Sequence, residues 1–221
     1  MKIATWNIER LKHKRELANI TRSCEETQAD ILALTETDGQ VAPDFPYCYQ
    51  TPKLSDIQSD YYKPTENRVS IFTRYKAVRQ LPTYDNYTAL CVELQTERGN
   101  LLVYGTIIGI YGNRNPNFVA DLARQIEDIR RLSALGNICV LGDYNLSFCD
   151  SYYYTKQGRT DVLQCFSENN IALLTKDRPE CIDHIAISER FVCGAVIRTD
   201  EWNYDKALSD HKGIVVSLDF K

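Results

Sequence analysis

Five carboxylates, two carboxamides and two histidines of the 221-residue sequence carry the chemistry it has to offer. They are Glu9, Glu36, Asp143, Asp183 and Asp210, with Asn7 and Asn145, and His184 and His211. The chain has only 3 histidines, and these two directly follow an aspartate. Oxygen-rich sites with few imidazoles suit hard cations such as Mg²⁺ or Mn²⁺. Clustered carboxylates repel a phosphate unless a cation offsets their charge. The same cation polarises the phosphoryl oxygen and supports the leaving oxygen. A carboxylate oriented by an amide can activate water as a general base. A histidine held by a carboxylate can stabilise the negative charge of a transition state.

Each residue taken alone also has a plain structural role open to it. Asn7 after a strand is a turn former. Glu36 in Thr35-Glu36-Thr37-Asp38 reads as a solvated loop acid, and Gly142-Asp143-Tyr144-Asn145 as a turn after a strand. His184, inside the apolar run Ile182–Ile187, reads as a hydrogen-bonded structural histidine, and Ser209-Asp210-His211 as a loop cap. No single residue decides the matter; the order and context of all of them do.

The elements that must position these residues follow from the apolar pattern. Short β-rich runs fall at Lys2–Asn7, Ile31–Thr35, Val69–Thr73, Thr88–Leu94, Leu101–Ile107, Ile138–Leu141, Ile182–Ile187, Phe191–Arg198 and Lys212–Leu218. Steps of three and four mark two helices: Leu17, Ile20, Cys24 and Thr27, then Phe118, Leu122, Ile126, Ile129 and Leu132. Strands outnumber helices, so a purely parallel doubly wound sheet fits poorly. The pattern predicts an α/β protein whose sheets are covered by helices on their outer faces. The polar residues share one grammar. Asn7, Glu9, Glu36, Asp143 and Asn145 lie at or just past the end of an apolar strand, Asp183 and His184 at a strand start, and Asp210 and His211 before the last strand. Strand ends are where rigid scaffolds carry functional groups.

Composition narrows the partners. With 43% apolar and 25% charged residues the chain reads as globular, and no linker or repeat divides residues 1–221, so one domain is expected. The 26 basic against 30 acidic residues give a formal charge of −4. Binding to nucleic acid must therefore run through a local patch rather than bulk charge. The longest uncharged run, residues 99–113, is too short for a spanning helix of about 20 residues. Glu9 and Arg10 interrupt the first apolar stretch before any cleavage-site pattern, so a cytoplasmic location is expected. None of the 8 cysteines forms a Cys-x-x-Cys pair, which argues against zinc and for buried, reduced thiols.

Five segments in order carry a resemblance: Trp6-Asn7-Ile8-Glu9, Asp30-Ile31-Leu32-Ala33-Leu34-Thr35-Glu36, Leu141-Gly142-Asp143-Tyr144-Asn145, Ile182-Asp183-His184-Ile185 and Ser209-Asp210-His211. Together they resemble the endonuclease/exonuclease/phosphatase superfamily, which includes DNase I, exonuclease III-like apurinic endonucleases, sphingomyelinases and inositol polyphosphate 5-phosphatases. The resemblance runs from the first strand to the last. It implies a four-layer α/β/β/α sandwich of two mixed β-sheets flanked by helices, and metal-dependent hydrolysis of a phosphoester with Mg²⁺ or Mn²⁺. Carried over position by position, it makes Glu36 the principal metal ligand, with Asn7 and Glu9 beside it and Asp210 near the metal. Asp143 would orient or deprotonate the attacking water, with Asn145 as its partner and a phosphate contact. His211 would bind phosphate, buttressed by Asp183, and His184 would support from behind.

The sequence departs from the family at one strand end. Many members carry a histidine or tyrosine at the end of the strand equivalent to Leu101–Ile107, where this chain has Ile107. Tyr111 or Tyr104 is left as a substitute. Only 40 positions separate Asp143 from Asp183, fewer than apurinic endonucleases use for loops that engage DNA. The stretch Asp150–Arg159 could compensate, its tyrosines stacking bases while Lys156 and Arg159 hold phosphates. Lys12, Lys14, Arg15, Lys63, Arg68 and Arg114 are further candidates for a phosphate-tracking surface. The expected function is a nuclease or phosphodiesterase acting on nucleic acid, DNA ahead of RNA. A hydrolase of a small phosphoester or lipid headgroup is the alternative, and a non-catalytic binding module the third reading. No feature of the sequence points to an obligate protein partner.

Overall fold

The computed structural model describes residues 1–110 and 112–220. The first half of the chain runs β1 (Lys2–Asn7), α1 (Leu17–Glu26), β2 (Ile31–Asp38), β3 (Tyr47–Gln50), β4 (Glu66–Thr73), β5 (Ala77–Leu81), β6 (Ala89–Thr96) and β7 (Gly99–Ile107). It continues through α2 (Pro116–Ser133), β8 (Asn137–Asp143), α3 (Lys156–Glu168), β9 (Ile171–Leu173), β10 (Asp183–Ser188), α4 (Glu189–Val192), β11 (Ala195–Trp202) and β12 (Gly213–Phe220). Two mixed six-stranded sheets result, ordered β11-β12-β1-β2-β4-β3 and β5-β6-β7-β8-β10-β9. Each has one parallel pair at its centre, β1 with β2 and β7 with β8.

Period-two alternation explains the layering, because successive side chains of a strand face opposite ways. Ile3, Ile31 and Ala33 of the first sheet meet Val103, Cys139, Leu141 and Ile185 of the second in a buried core between the sheets. Their strand neighbours Ala4, Trp6, Leu32 and Leu34 face outward onto Ile20 and Cys24 of α1. Leu102, Tyr104 and Val140 face outward onto Phe118, Leu122 and Ile129 of α2 and Val162 and Phe166 of α3. The order of layers is helix, sheet, sheet, helix, as the resemblance implies. All 8 cysteines are free thiols, five of them buried. Among the described residues no helix is long and apolar enough to cross a membrane.

Some elements depart from the sequence expectation. The run Phe191–Arg198 is not one strand. Phe191 and Val192 lie in the helical turn α4 and pack into the inter-sheet core, and Gly194 at φ 79° reverses the chain into β11. The stretch 150–159 is not all loop. Thr155 caps α3, its hydroxyl accepting from the Gly158 amide at 3.1 Å, so Lys156 and Arg159 belong to the first helical turn. That helix buries only Gly158, Val162, Cys165 and Phe166, a stripe too thin to stand out in sequence.

Gly142, one residue before Asp143, sits at φ 132°, and a Cβ there would lie 2.0 Å from the Thr106 carbonyl oxygen of the neighbouring strand. Glycine permits that close approach of β7 and β8. Gly142→Ala is expected to cost about 1–3 kcal/mol, read as a lower urea midpoint. Gly136→Ala, where a Cβ meets nothing within 4 Å, should leave the midpoint unchanged. Equal midpoints for the two variants would show that the strand contact is not under constraint.

Candidate active site

The central strands of both sheets end at one rim, and the polar residues gather there. In the first sheet Asn7 of β1 stands beside Thr35 of β2, so Glu36 is the next residue along, turned by a left-handed backbone at φ 43°. In the second sheet Asp143 of β8 lies between Ile107 of β7 and Asp183 of β10. Asn7 joins the two sheets. Its Nδ2 donates to Asp143 Oδ2 at 3.0 Å and to Glu36 Oε1 at 3.3 Å. Its Oδ1 accepts the Glu9 amide at 2.9 Å. Only the carbonyl oxygen can accept from a backbone N–H, so the side chain cannot be flipped. Asn7 is therefore an amide bridge between two carboxylates, and one lone pair of its oxygen is taken by the Glu9 backbone.

Past Asn7 the chain makes a rare turn, with Glu9, Arg10 and Leu11 at φ 49°, 55° and 53°. Single left-handed residues cost of order 1–3 kcal/mol, so a run of three needs external bracing. Glu66, buried at the start of β4, accepts from Arg10 Nε at 3.0 Å and Nη2 at 2.8 Å, while Lys63 Nζ donates to the Arg10 carbonyl at 3.2 Å. The Arg10 guanidinium lies 4.7 and 4.8 Å from the ring centres of Tyr61 and Tyr62. Braced this way, Glu9 accepts the Asp210 amide at 2.9 Å with Oε2 and Lys12 Nζ at 2.7 Å with Oε1. Lys12 and Lys63, candidates for the phosphate-tracking surface, are each paired with a carboxylate here.

The last motif is fixed from its backbone. Trp6 Nε1 donates to the His211 carbonyl at 3.0 Å, and Asn203 Nδ2 donates to the carbonyls of Ser209 and His211 at 2.7 Å each. Ser209 Oγ donates to the Asn7 carbonyl at 2.6 Å, tying this loop to β1. Asn203 was not singled out in the sequence. Its signal is an asparagine at φ 56°, one of the few side chains that tolerates that backbone. The loop aims His211 Nδ1 at Asp183 Oδ2, 2.6 Å away.

Electrostatics separates the roles. Burial pushes the Asp143 carboxyl up to about 7, with Asp183 and Glu36 adding to it and His211 opposing. Burial alone would lower the His211 imidazolium, but Asp183, with Asp143 and Asp210 beyond it, raises it to about 10. His211 is thus a cation at neutral pH. One ligand atom each from Asp143, Asp183 and His211 lie within 4.8 Å of one another. An imidazolium has no lone pair to give a metal, so that trio is an acid pair flanking a donor. Asp183 Oδ1 is buried without a hydrogen-bond partner among the described residues. Glu36, half-buried, keeps Oε2 free of protein donors among the described residues. Five carboxylates face His211 and Lys12, an excess of negative charge with hard oxygen donors. A divalent cation of the Mg²⁺ type fits that set, with Glu36, and with Glu9 and Asp210 beyond it, as the residues that could hold it.

A family model described as the endonuclease/exonuclease/phosphatase family matches residues 4–211. The chain belongs to this family. The reaction its three names share is hydrolysis of a phosphoester bond. No curated protein sequence matches the chain. Solved structures match over its whole length with the same fold. A 3′ phosphatase from Neisseria, bound to a product DNA hairpin, is 16% identical, with 100% of each chain covered and a TM-score of 0.73. An AP endonuclease from Leishmania major is 15% identical, covering 100% of this chain and 88% of its own, with a TM-score of 0.75. An AP endonuclease from Archaeoglobus fulgidus is 12% identical, with 99% of each chain covered and a TM-score of 0.68.

Other residues of this family member fall into place around the rim. Asn145, at φ 51°, donates its backbone amide to Asp143 Oδ1 at 2.8 Å and its Nδ2 to the Ile108 carbonyl at 2.9 Å. Its amide group therefore ties down the loop after β7 rather than standing open for a phosphate. Ile107 is buried beside Asp143. Tyr104 cannot replace the missing polar group, because it is buried on the helix side with its hydroxyl 3.3 Å from Asp128. Tyr111 lies outside the described residues. Arg159 donates to the Ser147 and Asp150 carbonyls and lies over the Tyr154 ring, which braces the loop after β8. Lys156 is exposed on α3. A cleft of about 430 Å³ opens beside the rim, lined by Asn145, Tyr152, Asp183, Lys206, Asp210 and His211 among others.

His184 is fully buried, with Nδ1 2.9 Å from Thr175 Oγ1 and Nε2 2.9 Å from the Leu146 carbonyl. Burial lowers its imidazolium to about 4. Between about 6.5 and 4 the unfolded chain takes up a proton here that the folded chain refuses, so stability falls as pH falls through that window and is complete above it. The loss amounts to about 3 kcal/mol at most. His184→Gln should remove this component, so the stability gap between wild type and variant, read by urea unfolding, should narrow as pH falls from 6.5 to 4. A gap independent of pH would mean that His184 titrates normally in the fold.

Proposed function

We propose that this phosphoester hydrolase is a nuclease or phosphodiesterase that cleaves nucleic acid, DNA ahead of RNA, with Mg²⁺ or Mn²⁺ bound at Glu36. The observation that carries the reading is the clustering of Asp143, Asp183 and His211, with one polar atom of each within 4.8 Å of the others, where burial pushes the Asp143 carboxyl up to about 7 and the neighbouring carboxylates raise the His211 imidazolium to about 10. A general base works best with a pKa near the operating pH, and a fixed cation serves where phosphate charge develops. The link to nucleic acid is supported by structural relatives that are named for acting on or binding DNA.

In this reading Asp143 takes a proton from the attacking water. Asn7 Nδ2 and the Asn145 backbone amide each hold one of its oxygens and so aim the remaining lone pairs. His211 donates from Nε2 to a non-bridging phosphate oxygen while Asp183 holds Nδ1 and fixes the ring. Glu36 would hold the metal, with Glu9 and Asp210 beside it. When bound, the metal supplies Lewis-acid polarisation of the phosphate and support for the leaving oxygen. That support matters here, because Ile107 cannot donate a proton and Tyr104 faces away.

Plasmid and single-stranded DNA, incubated with purified protein and Mg²⁺, Mn²⁺ or chelator, test the reading. Cutting should require metal and should vanish in Asp143→Asn. Glu36→Gln should raise the Mg²⁺ concentration needed for half-maximal rate. His211→Ala should lower kcat by on the order of 10²–10³-fold. A folded protein that cuts neither DNA with any metal would overturn the nuclease reading and move the search to small phosphoesters, and wild-type rates in a variant would overturn that residue's role.

A further inference from the structure

We propose that Lys206 and Tyr152 form a clasp for the phosphate adjoining the scissile one, which selects a nucleic acid strand over a substrate with a single phosphate. The inference rests on the phosphodiesterase reading above and names the residues that would give it strand selectivity. Two loops wall the cleft, one after β8 carrying Tyr152 and Tyr153 and one after β11 carrying Lys206 and Asp210. Lys206 Nζ donates across the cleft to the Tyr152 hydroxyl at 2.9 Å and lies 4.7 Å from its ring centre.

The charge of Lys206 is what sets it apart from its neighbours. The other cations of the cleft each meet a carboxylate. Lys212 meets Glu201 at 3.3 Å and the Pro179 carbonyl at 3.0 Å, and His211 meets Asp183 at 2.6 Å. In the turn after β1, Lys12 meets Glu9 and Arg10 meets Glu66, at 2.7 and 2.8 Å. Lys206 has no carboxylate within ion-pair distance among the described residues, although Asp205 precedes it and caps the Ala207 amide. In a protein of net charge −4, a cleft cation resting on a neutral phenol keeps its charge for a ligand. An ammonium is a compact point charge suited to phosphate. The phenol accepts from the ammonium and still has its own proton to donate, and Tyr152, an exposed residue, offers a ring face for a base.

Register comes from the backbone. Lys206 sits at φ 54° with its amide on the Asn203 carbonyl at 3.0 Å. Asn203 is the residue whose side chain holds the Ser209 and His211 carbonyls. One hydrogen-bonded loop therefore presents both the cation assigned to the scissile phosphate and the cation of the clasp. Tyr152 is fixed independently, its amide on Asp150 Oδ1 at 3.0 Å. A substrate with one phosphate reaches His211 alone; a strand reaches both.

Direct binding separates this inference from catalysis. The Asp143→Asn protein is titrated, with Mg²⁺ present, against fluorescein-labelled single-stranded DNA of about 12 nucleotides, with thymidine monophosphate as competitor. Adding Lys206→Gln should weaken strand binding about 5–20-fold and lower the salt slope of log Kd by about 0.7, the loss of one phosphate contact. The competitor's inhibition constant should not move, Lys206→Arg should restore most of the affinity, and Tyr152→Phe should lose less than Lys206→Gln. Unchanged affinity and slope in Lys206→Gln, equal loss for strand and mononucleotide, or no strand binding by the parent would each overturn the clasp. Hydrolysis is scored separately with wild type and Mg²⁺. Lys206-dependent binding without cutting would overturn the nuclease reading and leave the clasp standing.

Discussion

Asn7 stands where the two sheets must be joined by something other than apolar packing, and its orientation is dictated by the backbone of Glu9. The inter-sheet core of Ile3, Ala33, Val103 and Leu141 ends at the rim. Beyond it, Glu36 of one sheet and Asp143 of the other come together, and like charges at close range in a partly buried setting repel by several kcal/mol. A single amide donating to both carboxylates offsets that repulsion and sets their separation. Nearly every other feature of the rim serves this arrangement. Ser209 binds the Asn7 carbonyl, and Glu9, whose amide fixes the Asn7 side chain, also receives the Asp210 backbone. The proposed metal ligand Glu36 and the proposed base Asp143 are brought together through one short side chain, so their geometry depends on sheet packing more than on any flexible loop.

Backbone strain follows the same pattern. Glu9, Arg10, Leu11, Glu36 and Asn145 all lie in the left-handed region, and all flank the carboxylate bridge. Such conformations persist only where surroundings over-determine them. Here the surroundings are the Glu66–Arg10 pair, the aromatic brackets of Tyr61 and Tyr62, and the Asn145 amide on the Ile108 carbonyl. The loop from Gln58 to Lys63, which has no catalytic group of its own, thus acts on the site at one remove.

The strands that bury both faces were legible because apolar runs of that kind have few other uses, and the polar residues at their ends were legible by order. The edge strands β3 and β5 were not, since half-exposed residues such as those of Tyr47–Gln50 and Ala77–Leu81 carry no continuous apolar signal. The helix α3 leaves little trace in the sequence because its buried stripe includes a glycine and a cysteine, and α4 resembles a strand there because Phe191 and Val192 look alike in either state. Within the site, residue types were readable but bonding was not. Sequence places Asn7 beside the acids, yet only the Glu9 amide reveals that its oxygen faces inward. Asn203 supports His211 by side-chain bonds to two carbonyls, an interaction set by a loop closure that no local pattern encodes.

Charge shows the same difference between composition and geometry. A formal charge of −4 argues against a polyanion, and a list of nearby lysines and arginines argues for one; neither weighs what each cation already touches. Arg10, Lys12, Lys63 and Lys212 are bound to carboxylates that shape the turns under the site, so they stabilise the negative rim rather than cancel it for an incoming phosphate. The field at the cleft is then set by a small remainder. His211, held as an imidazolium by Asp183, acts at the floor, and Lys206, resting on a phenol, acts at the wall. A cation that would offset Glu36 and Asp143 from within lowers the negative charge that the rim presents to substrate while leaving those structural pairs intact. Because the pairs are short and partly buried, salt screens them weakly. The remainder that faces the cleft is the part exposed to salt, and it is therefore the part through which ionic strength acts on binding.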